Sequence, residues 1–108
     1  MEKIITINGQ DIPLKSTGAT PLRYKMQFGK DFFSELAKLE KLNKKGSKSL
    51  ESVDFELFYN LTWIFAKTAN KDLPPLMEWL DTFESFPINE IMGDVMELVT
   101  SCISTKKK

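Results

Sequence analysis

The sequence predicts a mainly α-helical fold, a compact bundle of about five helices with an N-terminal β-hairpin at residues about 3–15. Three observations predict it. Apolar residues recur with helical spacing from Pro21 onward. A β-branched run at the start meets Asn8-Gly9, the strongest short turn signal. Finally, 108 residues with 42% hydrophobic side chains, eight Phe and two Trp, suit one packed core. Residues 1–108 therefore read as a single domain, with 105–108 as a flexible basic tail.

Each element follows from local chemistry. Ile4, Ile5, Thr6 and Ile7 favour an extended strand. Asn and Gly tolerate the positive φ that a type I′ turn needs at both central positions. The return strand Gln10–Lys15 puts Ile12 and Leu14 on one face, and Pro13 confines it to an edge. A two-stranded hairpin alone is marginal, so it must pack on the helices or pair with another copy.

Thr20-Pro21 reads as an N-cap followed by proline in the first turn. The helix from Pro21 to Phe28 is expected to offer Leu22, Met26 and Phe28 to the core, and Gly29 to end it. Asp31 can cap a second helix to about Leu42, with Phe32, Leu36 and Leu39 as its stripe and Phe33 and Ala37 beside them. Asn43–Ser49 is polar, basic and loop-like.

Ser52 can cap a long helix to about Ala69, with Asp54 and Glu56 in its first turn. Leu57, Leu61, Ile64, Phe65 and Thr68 form one face; Phe55, Phe58, Tyr59, Trp63 and Ala66 widen it, which predicts a central position. A short helix from about Pro75 to Phe83 aligns Leu76, Trp79, Leu80 and Phe83. The last helix, about Asn89–Ser104, is capped by Asn89 and is the most periodic segment.

The inventory excludes much chemistry. There is no histidine, the commonest general base and metal ligand. Cys102 falls on the apolar stripe of the last helix, where a buried inert thiol is expected. The five glycines form no phosphate-binding loop, and zinc-finger spacing is absent. Asp54 with Glu56 and Asp81 with Glu84 pair carboxylates, but on ordinary helical faces. The chain is expected to be no enzyme and to hold no cofactor or metal, acting by binding another macromolecule. Met1–Thr6 lacks a secretory pattern and no apolar run nears 18 residues, so a cytoplasmic location is expected.

Net charge is zero but unevenly spread. Residues 1–50 hold ten Lys/Arg against five Asp/Glu, while residues 51–105 hold two against ten. Such asymmetry can steer partners or favour head-to-tail self-contact. The acidic half and the single arginine argue against nucleic acid as the partner, although a small DNA-binding regulator stays an alternative. Trp79, Phe83 and Phe86 lie on or beside the short proline-flanked helix, with Met77 adjacent. Short helices bury less surface, so these four are the candidate partner-binding residues, against the alternative that the rings cap the end of the bundle.

The order of motifs adds a resemblance. Ile5-Thr6-Ile7-Asn8-Gly9-Gln10 leads into Thr20-Pro21-Leu22-Arg23-Tyr24-Lys25-Met26-Gln27-Phe28-Gly29-Lys30-Asp31. Leu57-Phe58-Tyr59-Asn60-Leu61-Thr62-Trp63-Ile64-Phe65-Ala66-Lys67 follows, then Trp79-Leu80-Asp81-Thr82-Phe83. Over about residues 3–104 the chain resembles tail assembly chaperones of long-tailed phages and prophages of Gram-positive bacteria. The resemblance implies a non-virion protein of the host cytoplasm. It would bind the long, helical, aggregation-prone tape-measure protein, and possible tail-tube subunits, during tail morphogenesis. It also implies self-association into a homo-oligomer, and in many members a second form made by ribosomal frameshifting, which the Lys106–Lys108 run would suit. A tail-completion or connector protein of the virion is the remaining alternative. Met77, Met92 and Met96 could supply adaptable apolar contacts.

Overall fold

The computed structural model describes residues 1–37 and 55–103. Leu39, the loop at 43–49, the caps at Ser52 and Asp54, and the tail at 105–108 lie outside the described residues.

Strands β1 (Glu2–Ile7) and β2 (Gln10–Lys15) pair antiparallel. Asn8 and Gly9 take φ of 52° and 81°, the double left-handed conformation that a two-residue turn requires. The register sets Ile5 opposite Ile12 and Lys3 opposite Leu14. Ile5, Ile7, Ile12 and Leu14 are buried on the inner face, while Ile4 and Pro13, also opposite each other, face solvent. Thr6 donates to Asp11 across the pair at 2.9 Å.

Helix α1 (Thr20–Phe28) stops at Gly29, whose φ of 71° suits glycine and whose N–H bonds Lys25 O. A helical run at 32–37, α2, follows, and the Asp31 carboxylate accepts from both the N–H and the hydroxyl of Ser34. Helix α3 (Phe55–Ala69) is central. It packs on β2, α1 and α5 (Ile88–Ile103), and α5 packs on β1. Leu57, Leu61, Ile64, Phe65, Phe58, Trp63 and Ala66 are all buried, as the apolar circumference predicts. The short helix α4 (Leu76–Leu80) lies between α3 and α5 in the chain.

The hairpin therefore finds its cover on the helices. Polar ties reinforce the apolar seam. Lys3 reaches Glu97 at 2.8 Å and Asp94 at 3.3 Å on α5, and these carboxylates raise its pKa. The Ser16 and Ser101 hydroxyls share a hydrogen bond at 3.1 Å.

Five boundaries or faces differ from the sequence expectation. Thr20 is the first residue of α1 rather than its cap; its buried hydroxyl accepts the Thr17 N–H at 3.0 Å. On α1 the buried stripe is Thr20, Tyr24 and, half-buried, Phe28, so Leu22 and Met26 point outward. The reason is aromatic: Tyr24 packs on Phe28 and Phe32, with centroids at 4.9 and 5.5 Å, and Phe28 packs on Trp63 at 6.0 Å. On α2, Phe32 is buried and Leu36 half-buried, but Phe33 and Ala37 are exposed and Glu35 is buried, within 3.4 Å of the Tyr24 hydroxyl. Finally, α4 ends at Leu80, where the Thr82 hydroxyl bonds Trp79 O at 2.6 Å, and α5 starts at Ile88, one residue before the expected cap Asn89.

Candidate interaction surface

Among the described residues, no group of three or more His, Cys, Asp or Glu could hold a metal ion. No helix among them is long and apolar enough to cross a membrane. Cys102 is half-buried on α5, its thiol donates to Val99 O at 3.3 Å, and burial pushes its pKa up. That environment favours the neutral thiol over the nucleophilic thiolate.

The four sequence-predicted contact residues divide. Trp79 and Phe83 are buried, at 3% and 8% exposure, and Phe86 is half-buried. Their rings form one cluster: Trp79 meets Phe83 at 5.2 Å and Phe86 at 6.0 Å, and Phe86 meets Tyr59 of α3 at 5.2 Å. Trp79 and Phe83 thus belong to the core, and Phe86 packs at its edge. The cause is a clamp that no local pattern announces. The Asn8 side chain, at the hairpin tip, donates to Ser85 O at 3.1 Å and accepts the Glu84 and Ser85 N–H groups. It thereby holds the chain after α4 against the body. Met77 alone of the four stands out, at 68% exposure, with exposed Glu78 and Asp81 beside it.

The more extensive apolar exposure lies on α1. Leu22 and Met26 are 61% and 77% exposed. One residue advances a helix by about 100°, so residues four apart lie only about 40° from one another. Leu22 and Met26 thus form a short outward stripe opposite Tyr24. By the same geometry Lys25 borders one edge and Arg23 the other. Met26, Arg23 and Gln27 continue into an open groove whose other wall is Trp63, Ile64 and Lys67 of α3. Lys67 donates to Lys71 O and Leu73 O at 2.8 Å each and lies 5.9 Å from the Trp63 ring centroid. Among the described residues no acid lines the groove.

Sequence reasoning missed this surface because it assigned Leu22 and Met26 to the core. No charge signal separates the two faces, because Arg23 and Lys25 border the Thr20–Tyr24–Phe28 stripe as closely as they border Leu22 and Met26. No family model, no curated protein and no solved structure matches the chain in the three comparisons with known proteins.

Proposed function

We propose that this chain is a tail assembly chaperone that binds a tape-measure protein and keeps it soluble while a phage or prophage tail is built. The ordered motifs from Ile5 to Phe83 supply the family. The structural observation that supports the reading is the outward Leu22–Met26 stripe on a helix whose opposite face is core. Apolar side chains held in solvent on a rigid helix are what a holding function requires, because they can cover another chain's apolar surface without any reaction. Methionine at such a position adapts to varied partners.

Co-expression with the neighbouring tape-measure gene tests the proposal. The tape-measure protein is expected in the soluble fraction with this chain and in the pellet without it; equal solubility in both cases refutes the reading. Purified particles are expected to lack the chain, and its presence there would favour a virion component instead.

A further inference from the structure

We propose that the outward face of α1 and its groove against α3 dock an amphipathic helix whose apolar stripe is bordered by Asp and Glu. The inference rests on the chaperone reading for the source of that helix, a tape-measure segment, and on the geometry for its chemistry.

Three observations carry it. Leu22 and Met26 present apolar atoms at helical spacing, which fits the i, i+3 and i+4 positions of a second helix. Arg23 and Lys25 border the stripe on opposite edges, and among the described residues neither has an ion-pair partner. Lys3, Lys15 and Lys30, by contrast, each have a carboxylate within 4 Å. Lys67 adds positive charge on the far wall of the groove, where no acid lines it among the described residues. A helix with acidic borders brings opposite charge to both edges at once, and a helix with basic borders brings like charge.

The contact is limited in size. Helix α1 has nine residues, so its axis spans about 13 Å, two to three turns. A contact of two to three turns is shorter than the helices of a standard stable interface of roughly 1,200 Å² or more would need, so binding is expected to be weak, reversible and salt-sensitive. Release is as necessary as capture for a protein that must hand its client to another assembly.

The full chain can be titrated with two labelled synthetic helices of roughly 20 residues, about 30 Å long, alike in their Leu stripe but bordered by Glu in one and by Lys in the other. The Glu-bordered peptide is expected to bind at least about tenfold more tightly. Replacing Leu22→Asp together with Met26→Asp should abolish its binding. Arg23→Glu with Lys25→Glu should reverse the preference between peptides. Unchanged circular dichroism and melting confirm that these exposed substitutions leave the fold intact. Equal affinity for both peptides, or binding indifferent to the substitutions, overturns the proposal. Self-association that vanishes in the Leu22→Asp, Met26→Asp chain would assign the face to a second copy and also overturns it. Competition of duplex DNA with the peptide does the same. A tape-measure protein kept soluble equally by the substituted chain removes this docking face and leaves the chaperone reading standing. If no version of the chain solubilises it, the chaperone reading falls, and the peptide titration still decides the surface.

Discussion

Asn8 serves two purposes with one side chain. Its backbone adopts φ of 52°, and its amide makes three hydrogen bonds to the backbone of Glu84 and Ser85. Asn8→Ala removes both and should cost about 1–3 kcal/mol, read from urea denaturation. Asn8→Asp keeps the two accepted bonds and should cost less. The turn was legible in the dipeptide Asn8-Gly9. The clamp was not, because its partners lie 76 and 77 residues away and no local pattern marks them. Two ionisable groups make further tests. The thiol of Cys102, raised by burial, should react with iodoacetamide at pH 8 more slowly in the native chain than in urea. The raised pKa of Lys3 has a defined sign: its contribution is full below the ordinary lysine value and fades as pH climbs through the higher folded value. The stability gap between wild type and Lys3→Met should therefore hold constant from pH 7 to 9 and close only in stronger alkali. Added salt should narrow it throughout.

At the scale of the element, α1 and α3 make opposite cases. Helix α3 is apolar around most of its circumference, so any rotation buries it, and its central position was readable from the residues alone. Helix α1 carries two rival stripes, Leu22–Met26 and Thr20–Tyr24–Phe28, both with four-residue spacing. Periodicity cannot choose between them. The choice is made by Phe32 and Trp63, which receive Tyr24 and Phe28, and these contacts are tertiary. Tyr24→Ala should accordingly cost about 3–5 kcal/mol, whereas Leu22→Ser or Met26→Ser should stay within about 0.5 kcal/mol. Chemical denaturation of the three variants checks the assignment, and a large loss for Leu22→Ser would reverse it. Helix α4 shows the same lesson in the other direction. A short helix was expected to leave rings exposed, but Trp79 and Phe83 are buried and Phe86 half-buried against Tyr59, with Asn8 tied to the following chain, so Met77 is the most exposed of the four candidates.

Across the whole molecule, the hairpin, α1 and α5 all lean on α3, so one core serves every described element. Phe65→Ala, at a position with 0% exposure, should lower stability by about 3–5 kcal/mol. It should shift the far-ultraviolet signal and the Trp63 and Trp79 fluorescence together, since a shared core unfolds as a unit. Separate transitions would show that the hairpin or α1 is independently stable. The fold class and the order of elements were legible because hydrophobic spacing and turn residues are local signals. The exposed face of α1 was not, because exposure is what remains after the tertiary contacts have been made.

The ties of the hairpin to α5 bear on synthesis as well. Among the described elements β1 and β2 leave the ribosome before any helix, and they can close on Asn8-Gly9 within about 10 microseconds. Yet the groups that seat them, Ser85, Asp94, Glu97 and Ser101, emerge only after the other described elements. Until then α3 can cover β2 but β1 lacks its seat on α5, so the hairpin is made early and is fully docked only when the last described helix arrives.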